Sequence, residues 1–166
     1  MKKMSVVLLC GYREREEGEI ALFHSVIDHR IRELKSLGLD VICVLSGAYA
    51  DDQLRHCARI ADCELVFDTQ DNPNLATNLK AGLAGTDGAG CFVLPVEIPP
   101  PGQHEWETLR EGWRVRGFLT ETSIYKAAAS QFGFPLLVTR KGSSTIREMT
   151  AFRTLLDERL RYEDLA

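Results

Sequence analysis

Nothing in this chain of 166 residues approaches the run of roughly 20 apolar residues that a membrane helix requires. The start, MKKMSVVLLCGYRERE, joins a basic pair to an apolar stretch ending at Cys10. That stretch is shorter than the roughly 7–15 residues of a secretory signal core, and no small-residue cleavage site follows it. It reads as a first strand, and the expected location is cytoplasmic. Cysteine is sparse and unpatterned: the five, at positions 10, 43, 57, 63 and 91, are odd in number and include no CxxC pair. This argues against a disulfide framework and against a zinc site. Cys10, Cys43 and Cys91 sit in apolar runs, where cysteine behaves as a small hydrophobe. Excess positive charge is missing too. The formal net charge of −4 gives no footprint for nucleic acid, and neither nucleic acid nor membrane is expected as a partner. No GxGxxG follows the first run, which sets dinucleotide binding aside, and no Ser-His-Asp or Cys-His constellation can be assembled. With no linker, repeat or low-complexity segment, residues 1–166 read as a single domain.

What the chain does have is an alternation of short apolar runs and helical patterns. SVVLLC (5–10), VICVL (41–45) and CFVLP (91–95) are continuous and rich in β-branched residues, with a weaker run, ELVF (64–67), between the last two. Such runs suit parallel strands buried on both faces. From Glu19 to Leu37, the residues Ile20, Phe23, Val26, Ile27, Ile31 and Leu34 recur at spacings of three and four, and Gly38 stands where a helix C-cap belongs. Residues 51–61, 74–85 and 103–113 predict further helices, 123–129 and 135–140 two more strands, and 144–160 a closing amphipathic helix. Strand and helix in alternation predict an α/β fold with an open, mostly parallel sheet. Ligands of such sheets bind beyond the carboxyl ends of the strands. The segments to question are therefore GYREREEGE, SGAYADD, DTQDNPN and VEIPPPG.

Taken in order, these loops carry a resemblance. LCGYRER holds Leu9, Gly11, Arg13 and Arg15; NLKAGL holds Leu79, Gly82 and Leu83, with Asn78 ahead of them; VEIP sets Glu97 two residues before Pro99; FGFPLLVTR holds Gly133 and Pro135 ahead of a strand. From about residue 5 to about residue 141 the chain resembles the MobA-like nucleotidyltransferases, which couple molybdenum cofactor to a nucleotide. It departs from their pattern with Glu97 in place of an Asp, Asn78 where Ser is frequent, and Phe134 in place of a His. The resemblance implies a three-layer α/β/α sandwich with a mostly parallel sheet, like that of nucleotide-diphospho-sugar transferases. It also implies a nucleoside triphosphate and a small-molecule acceptor as partners, and Mg²⁺ as cofactor. By the same resemblance, Gly11, Arg13 and Arg15 would meet phosphate, Asn78 would meet nucleotide, and Glu97 would hold the metal.

The residues themselves leave alternatives open. Around the first loop, Arg13 and Arg15 stand against Glu14, Glu16, Glu17 and Glu19, with no lysine at hand. A loop of that charge repels a polyanion unless metal ions intervene, and it can equally be a solvated turn leading into a helix. Glu97 is either a ligand or metal contact, or a solvated acid at a strand end. Asp68, Asp71 and Asn74 could contact base or ribose, or cap the next helix. Arg140 and Lys141 form either an anion site or a basic turn. His24, Asp28 and His29 do not make a convincing metal group. Asp157, Glu158, Glu163 and Asp164 read as the polar face and tail of the last helix. The expected function is a divergent, Mg²⁺-dependent nucleotidyltransferase. The alternative is a catalytically degenerate member of that fold that binds a metabolite or a protein partner.

Overall fold

The computed structural model describes residues 4–10, 17–46, 62–71, 74–86, 90–116, 124–127, 134–139, 142–144, 146 and 162–165. The strands are β1 (Ser5–Leu9), β2 (Asp40–Ser46), β3 (Glu64–Asp68), β4 (Cys91–Pro95), β5 (Ile124–Ala127), β6 (Leu136–Val138) and β7 (Tyr162–Leu165). They form one seven-stranded sheet in the order β3-β2-β1-β4-β6-β5-β7. β1 pairs in parallel with β2 and with β4, β2 pairs in parallel with β3, and β5 with β7. Only β6 runs against its neighbours, β4 and β5. The sheet is mostly parallel, as the unbroken apolar runs predicted.

Alternation along each strand distributes these runs over two cores. Val6, Leu8 and Cys10 join Val41, Cys43, Leu45, Phe92, Leu94 and Val96 on one face. Val7, Leu9, Ile42, Val44, Cys91 and Val93 line the other. A fully buried Val or Leu contributes about 1.5–3 kcal/mol, so a strand without a polar position gains on both faces at once. On the first face lie α1 (Glu17–Ser36) and α3 (Gln103–Arg116); on the second lies α2 (Leu75–Ala84). The result is a helix–sheet–helix sandwich.

Each helix is anchored by a few identifiable residues. α1 buries Phe23, Ile27, Ile31 and Leu34, the stripe expected from its spacing. It stops at Gly38, whose φ of 75° places it in the left-handed region. There the Gly38 N–H donates to Lys35 O (2.9 Å) and the Leu39 N–H to Leu34 O (3.3 Å), closing the helix end. Arg110 of α3 caps the same end from outside, its Nη2 donating to Leu37 O at 3.0 Å. In α3, Trp106 meets Phe92 edge-on with centroids 5.5 Å apart, and the Trp113 Nε1–H donates to Gly90 O at 2.7 Å. α2 lies close against the sheet because of Gly82. A Cβ there would overlap Val7 Cγ1 and approach Val44 Cγ2 to 2.8 Å.

The end of the chain corrects one expectation. Residues 142–144 and 146 are helical, but Tyr162–Leu165 form β7, pairing Tyr125 with Glu163 and Lys126 with Asp164. Glu163 and Asp164 thus belong to a strand and not to a helix tail. An open edge on β5 offers this polar segment a full ladder of backbone bonds, and that outweighs its weak local strand preference. The helix expected over 51–61, and Asp157 and Glu158, lie outside the described residues.

Two glycines separate two physical costs. Gly38→Ala meets open space and loses only backbone comfort at positive φ, an expected loss of about 1–2 kcal/mol. Gly82→Ala improves helix propensity by about 1 kcal/mol yet forces the helix off the sheet at a cost of about 1–3 kcal/mol, for an expected net loss of up to about 2 kcal/mol. Urea midpoints of the two variants check both; a Gly82→Ala protein more stable than wild type would contradict the close approach.

Candidate functional site

From β1 the chain builds outward through β2 to β3, then returns to place β4 on the other flank of β1. The crevice at such a reversal, past the carboxyl ends of the strands, is where open α/β sheets bind ligands. Here it lies between β1 and β4. Past the strand ends, the Cys10 N–H donates to Val44 O at 2.9 Å and the Val96 N–H to Leu9 O at 3.0 Å. The next residue is Glu97, exposed, while Val96 before it is fully buried. The Ile98 N–H turns back to Pro95 O at 3.1 Å, and Pro99, Pro100 and Pro101 have no N–H to give. Glu97 therefore presents a carboxylate to solvent at the reversal point from a tightly bonded turn. Gly11, Arg13 and Arg15, expected to share this crevice, lie outside the described residues, as do Arg140 and Lys141.

A second polar assembly joins the end of β3 to the start of α2. Asn74 is the N-cap: its Oδ1 accepts from the N–H groups of Ala76 (2.9 Å) and Thr77 (3.0 Å), while Thr77 Oγ1 accepts from the Asn74 N–H (2.9 Å). This is a capping box built with Thr in the usual place of Glu. Behind it Asp68 is almost completely buried. Its Oδ1 accepts from the Gln70 N–H at 3.0 Å, and its Oδ2 accepts from Thr77 Oγ1 at 2.5 Å and from Asn78 Nδ2 at 2.7 Å. Asn78, expected to meet nucleotide, is itself buried with its amide directed at Asp68. Of the two roles open to Asn74, the structure realises helix capping. Asp71 is exposed. Beside this assembly runs a groove of about 480 Å³ whose polar lining includes Thr69, Gln70, Asn74, Thr77 and Lys80.

The sequence offered Asp68 two roles, contact with base or ribose or capping of the next helix. Its inward network had one legible signal, the Asn-x-x-Thr-Asn spacing of 74–78, which places amide and hydroxyl on the first helical turn. The carboxylate also lies by the positive end of the α2 dipole. It occupies from within the place where an external anion would gain most from that helix.

Three thiols belong to the first core or pack against it. Cys10 and Cys43 are buried with their Sγ atoms 3.6 Å apart, and half-buried Cys63 donates to Val41 O at 3.3 Å. Burial, then the hydrogen bond and charge of Cys43, and then the charge of Glu97 push the Cys10 thiol well up. Burial, then the charge of Cys43, pushes Cys63 up to about 12. Cys10 and Cys63 are therefore packing groups, not nucleophiles.

Among the described residues, no group of three or more His, Cys, Asp or Glu side chains could hold a metal ion. Asp28 accepts from Arg32 Nε at 2.9 and 3.1 Å, and the His29 ring lies 4.0 Å from Glu33; both belong to the charged surface of α1. Among the described residues, Glu97 is the acid on the turn past β4, and one carboxylate suits a divalent ion held chiefly by substrate oxygens and water more than a cage made by protein. Among the described residues, no helix is long and apolar enough to cross a membrane.

Two outcomes are expected. Asp68→Ala removes the buried acceptor of the half-buried Thr77 hydroxyl, the buried Asn78 amide and the Gln70 N–H and should cost about 2–4 kcal/mol in denaturant unfolding; a loss below about 0.5 kcal/mol would contradict the network. The folded state favours the neutral Cys63 thiol, so its contribution is complete below the ordinary value of 9.0 and is lost as pH rises toward about 12. Urea midpoints measured across that window should fall more steeply for wild type than for Cys63→Ala.

No family model matches the chain. No curated protein matches it in sequence. Solved structures do share its fold. Aq1419 from Aquifex aeolicus VF5 superposes with a TM-score of 0.62 at 14% identity, over 98% of this chain and 86% of that one. A proposed nucleotide-diphospho-sugar transferase from Desulfovibrio desulfuricans G20 gives 0.59 at 14% identity, covering 99% and 80%. Rv0371c from Mycobacterium tuberculosis H37Rv, in a complex with manganese, gives 0.56 at 14% identity, covering 98% and 87%. At these identities the likeness shows the fold: a nucleotide-diphospho-sugar transferase-like sandwich.

Proposed function

We propose that the chain is a divergent MobA-like nucleotidyltransferase that moves a nucleotide from a nucleoside triphosphate to a cofactor or other small-molecule acceptor. The observation that carries this reading is Glu97, an exposed carboxylate on a bonded turn at the reversal of strand order. Support comes from the shared fold, one member of which was solved with manganese. In the transfer, an acceptor oxygen bonds to the α-phosphorus, the bond to the bridging oxygen breaks, and pyrophosphate leaves. Mg²⁺ would supply charge neutralisation on the phosphate oxygens.

The chain's own part is to position and to balance charge. Glu97 offers a carboxylate for the ion. Gly11 contributes backbone close to phosphate, and Arg13 and Arg15 contribute positive charge. Asn78 acts through Asp68, holding the first turn of α2 and the groove beside it in the shape that receives the nucleotide. The second reading, a degenerate member that binds a metabolite or a protein partner, is favoured by two observations. No second carboxylate joins Glu97 in a metal-holding group among the described residues, and the first loop carries more acid than base.

Calorimetric titration with CTP, GTP and ATP, each with and without Mg²⁺, on wild type and Glu97→Ala, separates the readings. The transferase reading expects micromolar binding of one nucleotide, on the order of −8 kcal/mol, that requires both Mg²⁺ and Glu97. Nucleotide binding indifferent to Glu97, or none at all, would leave the degenerate reading standing.

A further inference from the structure

Glu97 sits on a turn whose backbone is held from both sides, and one of the holding groups comes from a distant helix. Val96 is fully buried just past the end of β4. The ladder with β6 covers only Cys91–Val93, so the Val96 carbonyl lies beyond any strand partner in that pairing. Among the described residues, Arg30 of α1 donates to it, its Nε–H reaching Val96 O at 3.4 Å. A second arm of the same guanidinium, Nη1, donates to Glu33 Oε2 at 3.1 Å. The Arg30 side chain is only 17% exposed. Its stem leaves α1 beside the buried stripe of Ile27, Ile31 and Leu34, so a cation emerges at the margin of an apolar face.

The consequence follows from the planarity of the peptide group. The carbonyl of Val96 and the N–H of Glu97 belong to one rigid unit. Fixing the direction of Val96 O, while the Val96 N–H is fixed on Leu9 O (3.0 Å), orients that plane. On the far side the Ile98 N–H is fixed on Pro95 O (3.1 Å). The Cα of Glu97 is thereby held between two bonded peptides, although its side chain is exposed. We infer that Arg30 is a positioning residue for Glu97: its bond to Val96 O sets the direction in which the Glu97 carboxylate enters the crevice. The use of that direction in nucleotide binding rests on the transferase reading; the orientation of the turn does not. Arginine suits the task because its planar fork serves a carbonyl and a carboxylate in fixed relation, which a lysine ammonium does not reproduce.

The test pairs two readouts on Arg30→Met, Arg30→Lys and wild type. Hydrogen exchange of single backbone amides should show the Glu97 and Ile98 N–H groups exchanging about tenfold faster in Arg30→Met. Amides of β1 and β2 should stay unchanged, and Arg30→Lys should fall between. Unchanged exchange at Glu97 and Ile98, or an equal rise throughout the sheet, would overturn the inference. The second readout is calorimetry with the Mg²⁺ complexes of CTP, GTP and ATP. Where wild type binds, Arg30→Met should weaken binding about tenfold and should add nothing to Glu97→Ala in the double variant. An Arg30→Met protein that binds as wild type while Glu97→Ala does not would equally overturn it. If wild type binds no nucleotide, the transferase reading fails, and exchange alone decides whether Arg30 orients the turn.

Discussion

The bond from the Val96 N–H to Leu9 O, 3.0 Å long, lies where the sheet ends and the crevice begins. It extends the parallel pairing of β1 and β4, whose registered partners finish at Leu9 and Pro95, by one further rung. Through it the first apolar run and the run before the prolines share a terminus, although most of the sandwich separates them in sequence. Were β4 to pair one residue out of register, Phe92, Leu94 and Val96 would exchange faces with Cys91 and Val93. Both cores would lose their complementarity, and Glu97 would turn toward the other helix layer. The burial of alternate residues on two sides is therefore what places the acid. The prolines that follow then prevent the strand from continuing.

That placement leaves an electrostatic asymmetry around the crevice. On the β3 side the start of α2 is closed twice, by Asn74 at the cap and by Asp68 behind it. The N–H groups that a phosphate would seek at a helix start are engaged, and a carboxylate already draws on the dipole. On the β1–β4 side an exposed glutamate adds negative charge. A polyanionic ligand there would need cations to offset that charge. A neutral base or ribose faces no such barrier in the groove of Thr69, Gln70 and Asn74. The two sides thus differ in the part of a nucleotide that each could favour.

Much of the architecture was legible because it depends on patterns that burial enforces. Runs with no polar position identified β1, β2 and β4, and ELVF registered as weaker because β3 is an edge strand with Leu65, Val66 and Phe67 only partly buried. Gly38 marked the end of α1 since its conformation admits few other residues. β7 was not legible: Tyr162–Leu165 carries two acids and owes its structure to an open edge on β5, a partner that no local pattern reveals. The candidate site divided in the same way. Glu97 could be found from the strand before it and the prolines after it. The inward turn of Asn78 and Asp68 left only the Asn-x-x-Thr-Asn spacing as a trace, because either residue alone would look the same facing solvent. Arg30 was invisible for a further reason, since the carbonyl it serves lies 66 positions along the chain.

The departure of Glu97 from aspartate can now be weighed against the turn that carries it. A longer arm moves the carboxylate outward by roughly one bond length and adds a rotatable bond, so a freely moving backbone would smear its position widely. In this chain the backbone on both sides is bonded, through Val96 to Leu9 O and Arg30, and through Ile98 to Pro95 O. A bound cation would still have to draw the Glu97 side chain from its present contacts, at about 1.5–2 kcal/mol of side-chain entropy at most. Small misplacements of a ligating group cost orders of magnitude in rate, so a longer arm is tolerable only where its root is rigid. On the transferase reading, the bonded 95–98 turn is what would let a glutamate do the work that aspartate does in the family the chain resembles.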